Sequence, residues 1–357
     1  MSSPGSVDVI ALGRPDDWHL HLRDGAALAA VLPHTTARFA RAMVMPNLKP
    51  PITTTPMAAQ YRERILAARP AGSGFQPLMT LYLTDRTPPD EVDRALASGF
   101  VHGFKLYPAG ATTHSNAGVT DLAHIDAVLA RMAECGIVLQ VHGEVTRDAV
   151  DVFDREARFI DEALAPLLER HPRLRVVFEH ITTAAAVAFV RQARAGVGAT
   201  ITPQHLLHNR NAMFAGGIRP HFYCLPVLKT EPDRLALTEA ATGGEPRFFL
   251  GTDSAPHPRH AKESDCGCAG MYSAHAGIEL YAEAFDAAGA LPRLEGFAHA
   301  FGADFYRLPR NAGTITLRRA PTAVPERLRF GVDRCGVDEE LIPMRAGGHT
   351  LWSLVAG

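Results

Sequence analysis

The chain predicts an α/β fold: a parallel sheet closed into a (β/α)8 TIM barrel, with a small C-terminal appendage. Three observations carry this expectation. Short apolar runs alternate about eight times with longer segments whose apolar residues recur at helical spacing. No Gly-rich phosphate loop follows an early run, whereas an open doubly wound sheet would normally have one. Polar residues with useful chemistry stand at the ends of the runs, on the rim where such barrels build their sites.

Taken in order, the predicted strands end near His21, Met45, Leu83, Lys105, His142, His180, Thr202 and Asp253. The first is DWHLHLR, residues 17–23. With a side-chain period of two, His19, His21 and Arg23 share one face, and Trp18, Leu20 and Leu22 share the other. The later runs read RAMVMP, PLMTLYL, VHGFKLY, GIVLQVH, LRVVFEH, GATIT and RFFLGTD. Segments 57–68, 89–98, 122–135, 157–169, 184–193 and 232–241 have apolar residues at helical spacing. Residues 108–118, PAGATTHSNAG, form a small-residue polar loop after the fourth strand, a candidate lid. From 311 to 357, two strand-like pieces, 314–317 and 349–355, are separated by Pro-, Gly- and charge-rich sequence. This tail reads as an appendage packed on the barrel, so 1–357 forms one domain.

A balance of 36 basic and 38 acidic residues leaves a net charge of −2, which supports neither nucleic-acid binding nor a polybasic membrane anchor. No apolar run approaches a transmembrane helix in length. The opening residues lack the basic and apolar regions of a secretory signal, and a cytoplasmic location is expected. Five cysteines, an odd number, do not suggest a disulfide framework. Cys266-Gly267-Cys268 is too tightly spaced for a zinc clip and lacks a second pair, so it reads as a turn. Of the 36 basic residues four are lysines: Lys49, Lys105, Lys229 and Lys262. Where the chain uses Arg for positive charge, a lysine at a strand end raises the question of amine chemistry.

His19, His21, Lys105, His142, His180 and Asp253 each follow an apolar run. One such residue is ordinary at the edge of a core; six on one rim define a candidate metal site. Other histidines serve as controls. His102 differs in strand parity from Lys105 and should point away from the barrel centre. His34, His124, His171, His275, His299 and His349 lie in helical or loop contexts. His205 and His208 sit past the seventh strand and are supporting residues at most. Four histidines and one aspartate exceed the three protein ligands of a single catalytic zinc. They suit two metals if something bridges them. An ammonium has no lone pair to offer. Carbamylated by carbon dioxide, Lys105 becomes an anion with two oxygens, one for each metal.

The ordered set DWHLHLR, MVMPN, GFKLYPAGATTHS, VHGE, FEHITT, TPQHLLHNRN, CLPVLK, FLGTDSAPH and KESDCGCAG resembles the amidohydrolase superfamily, and within it a short, monofunctional bacterial class. The resemblance runs from residue 17 to about 306. It implies two Zn2+ per chain, the first on His19, His21 and Asp253 and the second on His142 and His180. Lys105, as N6-carboxylysine, would bridge them. It also implies that Arg23, Asn47 and His257 hold a substrate carboxylate, and that Leu225 and Ala269 contact a pyrimidine ring through their backbone. His142 would also face substrate, and Thr112 and Thr113 would ride on a closing loop. The implied activity is zinc-dependent cyclic amide chemistry. N-carbamoyl-L-aspartate closes reversibly to L-dihydroorotate, the third step of de novo pyrimidine (UMP) biosynthesis, with Asp253 carrying the proton. A homodimer is implied as well. On the residues alone three rivals stay open: a hydantoinase-like cyclic amidase, a metal-free lyase using Lys105 as Schiff-base nucleophile, and a non-catalytic metal-binding scaffold.

Overall fold

The computed structural model describes residues 8–265, 267–332 and 335–355. Cys266 of the Cys-Gly-Cys turn lies outside them, as do residues 356 and 357 of the tail. The first strand, β1 (Val9–Gly13), belongs to a small separate sheet. The barrel strands are β2 (Asp16–Leu20), β3 (Arg41–Val44), β4 (Gln76–Tyr82), β5 (Val101–Leu106), β6 (Val138–Val141), β7 (Arg175–Phe178), β8 (Val197–Ile201) and β9 (Phe248–Leu250). They pair in parallel, in sequence order. All eight expected strands are present.

Helices Gly25–Arg38, Thr55–Ala68, Asp90–Ser98, Asp126–Cys135, Ala184–Gln192 and Glu231–Thr242 fill connections between strands. Local chemistry marks their ends. Thr230 and Asp233 form a reciprocal capping box. Three acidic residues in the first turn of Asp90–Ser98 complement its dipole, and Gly99, at φ 70°, ends it. The helix expected over 157–169 runs as Arg155–Phe159, a π turn at Ile160–Leu164, and Ala165–Arg170.

Each strand sorts its side chains into two layers. Leu81, Phe104, Leu139, Val176, Ala199 and Leu250 pack in the large core shared with the helices. Leu78, Val138, Val177 and Phe249 form a second cluster with Trp18, Met43 and Met45, closed by Ala303 and Tyr306. This second cluster is the floor beneath the site. Trp18 joins it because the β2–β3 register shifts between Asp17 and Leu20. Plain alternation along 17–23 is therefore replaced by an irregularity of the kind that re-aims side chains beside active sites. Trp18 stacks on Tyr306 at 4.7 Å, and His19 and His21 still reach the rim cavity.

β2 and β9 close the barrel. Asp253 N donates to His19 O at 2.8 Å, and His21 N donates to Ser254 O at 3.0 Å. The buried Asp17 carboxylate accepts from Thr252 N at 2.9 Å, Thr252 Oγ1 at 2.6 Å and His19 N at 3.2 Å.

The small sheet joins the two ends of the chain. β10 (Thr314–Arg318) runs antiparallel to β1, from Val9 opposite Arg318 to Gly13 opposite Thr314. Ser353–Leu354 pairs along its other side. The strand expected at 314–317 is present, and its longest pairing is with the N-terminal strand. The tail also contains the antiparallel pair Leu328–Val332 and Asp338–Leu341. The 349–355 piece is split into His349–Thr350 and Ser353–Leu354. Among the described residues no helix is long and apolar enough to cross a membrane.

The seam yields a stability prediction. Thr252→Val removes the hydroxyl that Asp17 accepts and leaves a buried carboxylate short of one donor. The expected cost is about 1–3 kcal/mol, read as a lower urea midpoint. An unchanged midpoint would mean that the backbone bonds alone hold the seam.

Candidate metal centre

Three ligand atoms, one each from His19, His21 and Asp253, lie within 4.8 Å of one another, and all three residues are buried. Asp253 Oδ1 is 3.1 Å from His21 Nε2 and 3.4 Å from His19 Nε2. His21 Nδ1 lies 2.8 Å from Asn47 Oδ1. When Nδ1–H donates to that amide oxygen, Nε2 presents a lone pair to the carboxylate. Two acceptors then face each other, an arrangement that a cation between them relieves. The imidazole of His180 stands 4.9 Å from those of both His19 and His142, centre to centre. His142 Nε2 is held by Glu144 Oε2 at 2.8 Å.

Lys105 is fully buried inside β5. Among the described residues its Nζ and the Nδ1 of His180 find no hydrogen-bond partner. Buried polar groups are nearly always partnered, so these atoms ask for a partner that the described residues do not supply. The donor set thus fits a divalent metal: neutral imidazoles and a carboxylate, converging and dry.

Burial shapes the protonation states. It pushes the Lys105 amine down to about 8, against the pull of Glu179 and Asp253. It pushes the Glu179 carboxyl up to about 7, against Lys105 and the Thr200 hydroxyl. His19 and His180 are held well below the usual imidazole range, first by burial and then by Lys105. Burial also pushes Asp253 up. The His21 hydrogen bond and the charges of His19, His21 and Lys105 outweigh it, so this carboxylate stays below its ordinary value.

Backbone strain concentrates here. Arg23, His180 and Asp253 have φ of 58°, 41° and 45°, conformations that cost non-glycine residues about 1–3 kcal/mol each. Along β7, strand parity carries Glu179 to the same side as Val177 on the barrel floor. The left-handed turn at His180 brings the next side chain to the cavity as well.

One cavity collects most of these groups. Of the residues expected to meet a metal or substrate, His19, His21, Arg23, Asn47, Thr112, Thr113, His142, His180, Leu225, Asp253 and Ala269 line it. Lys105 and His257 are not among its lining residues. Arg23 Nε donates to Pro256 O at 2.9 Å, and its Nη2 lies 2.9 Å from His257 Nε2. His205 lies outside the lining, buried between Thr202 and the Pro226 carbonyl. His208 packs edge-on against Phe222.

Five residues in or beside this cavity went unassigned in the sequence reading, Ala255 of the lining among them. Tyr107 and Glu144 carried a usable signal, each standing two positions beyond an assigned residue, Lys105 and His142. Glu179, which accepts from Thr200 Oγ1 at 2.5 Å and faces His19 Nδ1 at 3.0 Å, had the signal of a carboxylate ending an apolar run. Gly270 lines the cavity through its backbone and carried none.

Residues 4–324 match the amidohydrolase family, and the chain belongs to that family. Its place within the family follows from its relatives. A dihydroorotase from Alkalilimnicola ehrlichii is 67% identical over 346 residues, covering 97% of this chain and 99% of the relative. One from Methylobacillus flagellatus is 64% identical over 345 residues, covering 97% and 98%. Among solved structures, Saccharomyces cerevisiae dihydroorotase in complex with 5-fluoroorotic acid superposes with a TM-score of 0.89. It is 32% identical, covering 98% and 99% of the two chains. An Arthrobacter aurescens L-hydantoinase, at 16% identity and a TM-score of 0.78 over 97% and 83%, shares the fold alone. Among amidohydrolases the chain therefore belongs with the dihydroorotases.

The converging ligands predict a stability response independent of turnover. A metal that binds only the folded state raises stability with the logarithm of its free concentration. Chelator-treated protein should melt lower, and Zn2+ titrated back should raise the melting temperature progressively. His19→Ala should blunt the response. A melting temperature indifferent to both chelator and zinc would exclude a metal centre.

Proposed function

We propose that the chain catalyses the reversible cyclisation of N-carbamoyl-L-aspartate to L-dihydroorotate at a binuclear zinc centre, within de novo pyrimidine biosynthesis. The observation that carries this is the joining, in one cavity, of a convergent metal-ligand set with Arg23 and Asn47. In this reading His19, His21 and Asp253 would hold one zinc and His142 and His180 the other, and Lys105, as its carbamate with carbon dioxide, would complete the ligand set. When bound, such a metal pair supplies Lewis-acid polarisation of a carbonyl and activates water at neutral pH.

The remaining steps fall to the chain's own groups. Arg23 presents the planar fork that pairs with a carboxylate, steadied by the Pro256 carbonyl. Asn47 ties the ligand His21 to the 108–118 loop, because its Nδ2 donates to Thr113 O at 3.1 Å. Thr113 Oγ1 donates across the mouth to Ala269 O at 3.3 Å. With this loop across the mouth, water is limited and Thr112 and Thr113 stand over the substrate. Leu225 and Ala269 offer backbone groups to the ring. Asp253, kept ionised by its neighbours, takes up a proton in the hydrolytic direction and returns it to the leaving ring nitrogen. We take the working enzyme as a cytoplasmic homodimer of single-domain chains. It acts on a small molecule without nucleic-acid or membrane partners.

The test is turnover of L-dihydroorotate beside hydantoin, with elemental analysis of the active protein. About two metals per chain and preference for dihydroorotate are expected; hydantoin preferred would return the cyclic-amidase rival. Arg23→Lys should lose on the order of 10²-fold in kcat/KM, the scale for breaking a desolvated charge pair, with metal retained. Lys105→Ala should lose most activity and hold metal poorly, and short carboxylic acids should restore part of it. Lys105→Arg should not substitute, since a guanidinium forms no such carbamate. Intact mass of active, metal-loaded enzyme showing unmodified Lys105 would remove the proposed bridge.

A further inference from the structure

We infer that Lys262 is a positioning residue of this site: its ammonium aims the Ala269 carbonyl, against which the 108–118 loop docks. Lys262 ends the short helix Arg259–Lys262 and is buried. Its Nζ donates to three backbone carbonyls: Tyr223 O at 2.7 Å, Cys268 O at 2.8 Å and Gly270 O at 2.8 Å. An ammonium has three donors, and all three are used.

The arrangement of those carbonyls gives the clamp its consequence. The carbonyls of residues 268 and 270 are drawn to Lys262. That of Ala269, between them, meets the site instead. It accepts from Thr113 Oγ1 at 3.3 Å and lies 3.0 Å from His257 Nε2. Fixing the two flanking carbonyls fixes the middle one, since successive peptide groups of an irregular segment cannot turn independently. The third acceptor extends the effect. Tyr223 O also receives Gly270 N at 3.0 Å, so the segment leading to Leu225 is pinned to the segment that carries Ala269. Both Leu225 and Ala269 line the cavity. Slack is small here. Gly270 has φ 148°, and a Cβ there would come within 2.7 Å of Ala255.

Residue choice agrees. The chain carries four lysines among 36 basic residues. A planar guanidinium cannot direct three donors from one atom toward three converging carbonyls; a compact ammonium can. Burial lowers the Lys262 amine to about 8, with Cys224 and Cys268 opposing the shift, so the charged, three-donor form prevails at neutral pH.

The inference rests on the proposed reading in one respect, that the cavity's occupant is the cyclic substrate. The experiment compares Lys262→Met and Lys262→Arg, each alone and combined with Thr113→Val. In the single variants KM for dihydroorotate should rise about tenfold, the equivalent of one ordinary hydrogen bond. The change in kcat should be smaller, with metal content unchanged. In the Thr113→Val background the Lys262 change should add little, because the docking contact is already gone. Unaltered KM in a folded variant, or full additivity with Thr113→Val, would overturn the inference. Should Lys262→Met not fold, Lys262→Arg carries the test, with amide hydrogen exchange of Gly270 and of 108–118 as the second readout. Faster exchange is expected at both, and unchanged exchange overturns the clamp. Wild-type protein that leaves dihydroorotate untouched would sink the proposed function, while the exchange result would still decide the role of Lys262.

Discussion

Closure of the barrel between β2 and β9 is the constraint on which the rest depends. The backbone groups that close it belong to His19 and His21 on one side and to Asp253 and Ser254 on the other. One set of hydrogen bonds therefore completes the sheet and brings three ligand atoms together. Asp17 and Thr252 lock the same seam one layer below. Burial lifts the Asp17 carboxyl to about 7, and the Thr252 hydroxyl and amide pull it back. A site assembled in this way cannot drift from its geometry without opening the barrel. Preorganisation at the rim is thus a consequence of fold closure.

Within the rim, desolvation competes with pairing, and desolvation wins for the key amine. Two unit charges about 4 Å apart attract by about 4 kcal/mol at an effective dielectric near 20. Removing each ion from water costs several kcal/mol. Lys105 and Glu179 both shift toward neutrality, to about 8 and about 7, although each is the charge that most opposes the other's shift. An ordinary lysine near 10.4 is almost wholly protonated at neutral pH. At about 8, Lys105 keeps an appreciable neutral fraction, the form able to react with carbon dioxide. Asp253 resists the same burial because the His21 hydrogen bond and the neighbouring His19, His21 and Lys105 together favour its carboxylate form. Opposite protonation tendencies thus arise in one dry space from neighbours alone.

The parts of this design that follow a period were legible in the chain. Eight apolar runs were visible, six of them ending in a polar residue, and strand parity set Lys105 apart from His102, with His142 likewise at a strand end. The same parity, carried two residues further, reaches Tyr107 and Glu144. What broke periodicity was hidden. The register shift in β2 sends Trp18 to the floor although it neighbours His19. Left-handed turns at His180 and Asp253 lack the glycine that would announce them. Pairing of β1 with β10 joins the two ends of the chain, and no local signal marks it. Helix Gly277–Ala287 is buried on nearly every side, so it has no polar face from which to read a helical stripe. Helix Gly25–Arg38 carries Pro33 in its interior, a residue that normally argues against helix.

The scarcity of lysine finds its physical sense here. Three of the four are buried. Lys105 stands fully buried, where desolvation favours the neutral amine. Lys262 stands where one nitrogen must meet three carbonyls. Lys229 Nζ bonds the Val227 carbonyl at 3.1 Å and lowers the buried Glu156 carboxyl against the upward push of burial. A guanidinium is too broad and too firmly charged for the first place and wrongly shaped for the second. The exposed Lys49 lies on the cavity that adjoins the site and shares Arg23 and Asn47 with it. Arginine carries positive charge over most of this chain, forming bidentate pairs such as Arg41 with Asp16 and Arg38 with Glu279. The three buried lysines thus stand in the interior, and at Lys262 the shape of an ammonium decides the geometry.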